Sequence, residues 1–262
     1  MKKSIGLVFL VACLISGGTA HADSREDTLI AAAASGDAKK VAWYVGEDVN
    51  INCHGQNETT PLIEAAKNGR EDIVKYLLSH YASVNLDDKD NVSAMMYAAK
   101  NGYTGIVGDL LSAGANKSAQ DIRGYTALIY AAEGGNSDTV KLLLDKGADP
   151  NQRCTSTDTA LTIAIQGKDA GLVQLLLSKG ADPNTKLTEG TFYGRHGDRS
   201  GNDGITALMR AVQSGSIDIV QLLLDKGAKV NEVTTTNDTA LSYAVAGGHK
   251  DIADLLRSKG AK

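Results

Sequence analysis

The sequence is poor in the residues that interrupt or staple a chain. Its 262 residues include only three Pro, three Cys, one Trp and two Phe, and aromatics make up 5%. Few prolines argue against long extended linkers. Three cysteines are too few for a disulfide scaffold. No block of like charges marks an interaction tail. The formal charge is −4, and no basic patch of the kind that tracks a phosphate backbone is present, so nucleic acid is excluded as a partner class. After the first 22 residues no stretch is apolar enough to cross a membrane as a helix, which needs about 20 residues. The catalytic signatures are missing too. There is no H-E-x-x-H, no Cys-x-x-Cys, no G-x-S-x-G elbow and no phosphate-binding Gly-Lys-Ser/Thr loop. His54, His80, His196 and His249 are dispersed. An enzyme, a bound cofactor and a metal centre are therefore not expected.

What is present begins with a leader. Met1-Lys2-Lys3 is basic, Ile5 to Ile15 is apolar, and Ala20-His21-Ala22 closes the segment. That layout predicts a secretory signal peptide over 1–22, cut after Ala22. Its loss removes two lysines and no acid, taking the formal charge from −4 to −6. A second reading uses Leu10-Val11-Ala12-Cys13 as a lipidation motif, with Cys13 as a lipid anchor. The favoured expectation is export to the periplasm as a soluble chain.

The rest, 23–262, is organised by a period of 33. Thr60-Pro61-Leu62 recurs as Ser93-Ala94-Met95, Thr126-Ala127-Leu128, Thr159-Ala160-Leu161, Thr206-Ala207-Leu208 and Thr239-Ala240-Leu241. The steps are 33, 33, 33, 47 and 33 residues, so one finger carries a 14-residue insertion around 185–200. A degenerate unit precedes these six. In each unit a Thr or Ser can cap a helix, and Pro61 suits the first helical position. Small pairs such as Ala98-Ala99 let helices approach. A Gly such as Gly69 or Gly135 ends the helix. A second helix follows with an apolar face, as in Ile73, Val74, Leu77 and Leu78.

With Asp121-x-x-Gly124-x-Thr126-Ala127-Leu128 and Leu142-Leu143-Leu144-x-x-Gly147-Ala148-Asp149-Pro150-Asn151, the chain resembles the ankyrin-repeat family over nearly all of 23–262. The resemblance implies an all-α solenoid of stacked helix pairs with hairpin-like fingers along one edge. It also implies a protein-binding role. Two departures put local turns in question: Tyr81 and Lys168 stand where Gly is usual, which predicts an irregular fourth unit. Trp43 and Tyr44 are read as core or cap packing, and Ala253 and Arg257 as softening the exposed last face. If layers stack about 8–10 Å apart, Cys53 and Cys154 lie roughly 25–30 Å apart, beyond a disulfide's reach of about 7 Å, and stay free.

In the family, fingers and first helices contact partners. The finger candidates here are Ile122, Arg123 and Tyr125, with counterparts Gln56, Asn57 and Thr59; Lys89, Asp90 and Val92; Thr155, Ser156 and Asp158; Asn202, Asp203 and Ile205; and Thr235, Thr236 and Asp238. One slot on the first helices holds Tyr97, Tyr130, Arg210 and Tyr243, with Glu64 and Ile163 in the other repeats. Tyr and Arg are typical hot-spot residues, while packing against the next helix is the competing reading. The insertion adds Phe192, Tyr193, Arg195, His196 and Arg199. The expected partner is another protein, bound by a chain that is monomeric in isolation. Two roles fit: support or scaffolding of an envelope protein such as a periplasmic enzyme, or immunity against a toxin delivered there.

Overall fold

The computed structural model describes residues 25–187 and 204–262. The leader, its cleavage site and the candidates Phe192, Tyr193, Arg195, His196, Arg199, Asn202 and Asp203 lie outside the described residues.

Among the described residues seven helix pairs follow one another. They are α1 (Arg25–Ser35) with α2 (Ala38–Gly46), α3 (Pro61–Lys67) with α4 (Glu71–Ser79), and α5 (Ala94–Lys100) with α6 (Thr104–Ser112). Then come α7 (Ala127–Glu133) with α8 (Ser137–Asp145), and α9 (Ala160–Gln166) with α10 (Ala170–Ser178). The last are α11 (Ala207–Ser214) with α12 (Ile217–Asp225) and α13 (Ala240–Ala246) with α14 (Lys250–Ser258). The odd-numbered helices pack in one row and the even-numbered helices in a second row behind it.

The caps explain where the inner helices start. Thr60 Oγ1 accepts from the Ile63 amide at 3.2 Å, Thr126 Oγ1 from Ile129 at 3.3 Å, and Thr239 Oγ1 from Ser242 at 3.1 Å. At Thr159 and Thr239 the cap is reciprocal: Thr162 Oγ1 accepts from the Thr159 amide and Ser242 Oγ from the Thr239 amide, each at 2.9 Å, a capping box. The alanine pairs Ala65-Ala66, Ala98-Ala99 and Ala131-Ala132 are buried between neighbouring inner helices. In the outer row Leu77, Leu110, Leu143, Leu176, Leu223 and Leu256 are fully enclosed at equivalent places, and burying each contributes roughly 1.5–3 kcal/mol. Leu78, Leu144 and Leu224 are only partly buried, because they sit at the margin of the apolar stripe.

Tyr81 and Lys168 do not disturb their turns. Both adopt the left-handed backbone that Gly takes in equivalent repeats, with φ of 67° and 56°. α9 keeps the same seven-residue length as α3, α5 and α7. The predicted irregularity of the fourth unit is thus absent: side chains pointing to solvent meet no obstacle, and the cost is confined to the backbone.

Successive turns are linked by asparagines. Asn52 Oδ1 accepts from the Ser83 amide at 2.8 Å, Asn85 from Asn116 at 2.8 Å and Asn151 from Asp182 at 2.8 Å. Asn184 accepts from Lys229 at 2.9 Å and Asn231 from Lys262 at 3.0 Å. The Asn184 bond spans 45 residues where the others span 31, so the insertion leaves the stacking register intact. One rung differs. Ser118 stands where Asn would be, and a void of about 10 Å³ opens beside it, lined by Lys117, Leu128, Ala148 and Gln152 among others.

The insertion leaves the array through a short antiparallel pair, β1 (Lys186–Leu187) and β2 (Ile205–Thr206), with Leu187 opposite Ile205. Both of those side chains are buried, and Lys186 Nζ holds Glu232 Oε2 at 2.6 Å.

The ends correct two expectations. Tyr44 packs partly against the core, but Trp43 is 55% exposed, with Tyr44 edge-on at 4.7 Å and the Arg25 guanidinium 5.7 Å from its ring. Among the described residues it is not core packing, because α2 ends the outer row and no further described layer covers it. At the far end Ala253 is buried, and only Arg257 faces out, paired with Asp254 at 2.9 Å.

Candidate protein-binding surface

The fingers are tight turns braced by carboxylates. In the second finger Asp88 Oδ1 accepts from the amides of Asp90 and Val92, each at 2.9 Å. Its other oxygen accepts from the Tyr97 hydroxyl at 2.7 Å. The third finger repeats the device. Asp121 Oδ1 accepts from the amides of Arg123 at 2.9 Å and Tyr125 at 2.7 Å, and Oδ2 accepts from Tyr130 Oη at 2.8 Å and Arg123 Nε at 3.1 Å. Four donors converge on a carboxylate whose side chain is 1% exposed, which is what keeps a buried charge tolerable.

This answers the double reading of the tyrosine slot in part. Tyr130 is 5% exposed, and its hydroxyl both donates to Asp121 and accepts from Arg123 Nη2 at 2.7 Å. Tyr97 is half-buried and spends its hydroxyl on Asp88. Burial, together with the hydrogen bond to a carboxylate, pushes both phenols well above the ordinary tyrosine range. In the free chain both side chains tie the inner helix to its finger. Lys67 lies 5.1 Å over the Tyr97 ring and Lys100 5.6 Å over Tyr130.

The other members of the slot differ. Arg210 is half-buried, and its Nε has no hydrogen-bond partner among the described residues. Tyr243 is half-buried on α13. In these repeats the position five residues before the cap is Gly201 or Thr234 rather than Asp. The fourth and sixth fingers use another plan, with Asp158 and Asp238 just before the cap. Asp158 accepts from Ser156, Thr162 and Gln166, and Asp238 from Thr236.

At the third finger the outward residues gather. Ile122 is 60% exposed. The Arg123 guanidinium lies 4.2 Å from the Tyr125 ring, which meets Tyr130 edge-on at 5.6 Å. Gly124 between them has φ of 75°, and a Cβ there would lie 2.9 Å from the Thr155 amide nitrogen, so the turn needs glycine. Neighbouring fingers are joined through their backbones: Lys89 N to Asn57 O at 2.9 Å, Ile122 N to Asp90 O at 3.1 Å, and Thr155 N to Arg123 O at 2.9 Å. The first four fingers are therefore joined into one edge. The third position of several fingers is not available to a partner, since Val92, Asp158 and Ile205 are buried.

The chain matches the family model described as ankyrin repeats in three copies, over residues 29–121, 105–186 and 191–262. It belongs to the ankyrin-repeat family. Ankyrin repeats are generally protein–protein interaction modules. A crystal structure of the human ASB11 ankyrin repeat domain is similar, with a TM-score of 0.71 over 87% of this chain and 96% of that one. Identity is 22%, so the likeness concerns the fold. No curated protein matches the chain.

Cys53 and Cys154 are free and buried. Burial pushes the Cys53 thiol up to about 11, which leaves it inert at neutral pH. Among the described residues no three His, Cys, Asp or Glu side chains are grouped to hold a metal, and no helix is long and apolar enough to cross a membrane.

Sequence reading missed Asp88 and Asp121 as the supports of the fingers. A signal exists: Asp nine residues before Tyr occurs in both the second and third repeats, as Asp88/Tyr97 and Asp121/Tyr130.

Proposed function

We propose that this ankyrin-repeat chain is exported to the periplasm and there binds and supports another protein of the envelope. The observation that carries the binding surface is the third finger, where Ile122, Arg123 and Tyr125 are held on a braced turn at the edge of the array. A rigid finger loses little entropy on docking, and that favours affinity. Export rests on the basic, apolar and Ala20-His21-Ala22 layout of the leader.

The test is a pull-down from envelope extract with residues 23–262, read by mass spectrometry. It runs beside Ile122→Ala/Tyr125→Ala and a variant with 188–203 replaced by an Asn-Gly turn between Leu187 and Gly204. A resident envelope protein captured by the parent and lost on the finger variant supports the reading. Loss only on the shortened variant moves recognition to the insertion. Capture of a delivered toxin alone replaces support by immunity. Retention of residues 1–22 in the cell-derived protein would overturn export.

A further inference from the structure

The Arg123 side chain is held by two of its own nitrogens and open on the remaining edge. Nε donates to Asp121 and Nη2 to Tyr130, while Nη1 makes no hydrogen bond among the described residues. The guanidinium is stacked on Tyr125 and is about half exposed. Its counter-charge, Asp121, is buried beneath it and already accepts four hydrogen bonds. The outward face is thus a fixed cation whose partner cannot be reached from solvent.

Nearby lysines differ. Lys100 pairs with Glu133 at 3.1 Å and Lys67 with Glu64 at 3.7 Å, acids that keep some exposure. Arg123 is the cation on this face whose carboxylate lies wholly inside. A planar fork locked in one rotamer matches a carboxylate and needs no reordering to receive it. The open guanidinium edge offers two parallel N–H donors, the geometry that a carboxylate accepts. Ile122 and the flank of Tyr125 add an apolar surface directly beside the fork.

We propose that Arg123 receives an Asp or Glu side chain from a protein segment that carries an apolar side chain next to that acid, with Ile122 and Tyr125 taking the apolar group. This deepens the protein-binding reading and rests on it.

The probe is a phage-displayed library of short random peptides, panned on the chain and then measured as synthetic peptides by fluorescence anisotropy. Expected are peptides with an acid beside an apolar residue. Their affinity should fall about tenfold on Arg123→Ala and also on Arg123→Lys, which keeps the charge but not the fork. Replacing the peptide's Glu by Gln should cause a similar loss on the parent and little further loss on Arg123→Ala. Lys146→Ala, an exposed lysine at the end of α8 and away from the fingers, should change affinity less than twofold, and thermal melts of all three variants verify that they fold. Acid-free peptides that bind the parent and Arg123→Ala equally would overturn the carboxylate site while leaving protein binding intact. An empty selection would also overturn it, and an empty selection joined to an empty envelope pull-down would sink the protein-binding reading as well.

Discussion

Tyr130 donates its hydroxyl to Asp121 Oδ2 at 2.8 Å, fastening an inner helix to the finger that precedes it. Tyr97 and Asp88 make the same bond one repeat earlier at 2.7 Å. The finger edge of the second and third repeats is thereby braced from below by a carboxylate and a phenol. The fourth repeat has Cys154 and Ile163 at the two places and braces its finger through Asp158 instead.

Tyr130→Phe should lower the unfolding free energy by about 1–2 kcal/mol, because it leaves a buried carboxylate one donor short. Asp121→Ala should cost more, about 3 kcal/mol, since it also strands two finger amides, Arg123 and Tyr130. Chemical denaturation followed by circular dichroism measures both. Equal stability of Tyr130→Phe and parent would show that the bond contributes nothing.

The same pair sets a behaviour in alkali. The folded state raises the phenol pKa of Tyr97 and Tyr130, so it favours the neutral form. The stabilisation is complete below the unfolded value of about 10 and is lost as pH climbs through the higher folded value. Stability should therefore decline above about pH 10, and less steeply in the Tyr97→Phe/Tyr130→Phe double variant. Denaturation midpoints between pH 8 and 11 check this, and parallel profiles would contradict it.

Ser118→Asn should restore the absent rung. The new amide would fill the void near Leu128 and Ala148 and accept a backbone hydrogen bond as Asn85 and Asn151 do. A gain of about 0.5–1.5 kcal/mol is expected, and Asn151→Ser should lose a similar amount. A destabilised Ser118→Asn would mean that Lys117 and Gln152 already fill the place of the rung.

Tyr81→Gly should stabilise the chain by about 1 kcal/mol. Tyr81 holds a left-handed backbone with 91% of its surface in water, so glycine removes strain and sacrifices almost no packing. The melting temperature should rise by roughly 2–4 °C. A fall would reveal a contact of Tyr81 that matters more than its backbone.

Much of this protein was decided within short stretches of sequence. Thr126 caps the Ile129 amide three residues away, and a left-handed residue follows each inner helix within a turn. Such bonds join near neighbours, so the period of 33, the helix pairs and their caps could be read directly. Tertiary structure alone decided which repeated side chains are spent inside and which remain for a partner. Whether Tyr130 faces a groove or a buried carboxylate depends on how the finger folds back over α7. Whether Trp43 is covered depends on a further layer, which the described residues do not supply. Whether Arg123 is free depends on Asp121 and Tyr130 meeting it from two sides. Those outcomes come from contacts made through space, after stacking has chosen which surfaces lose their water.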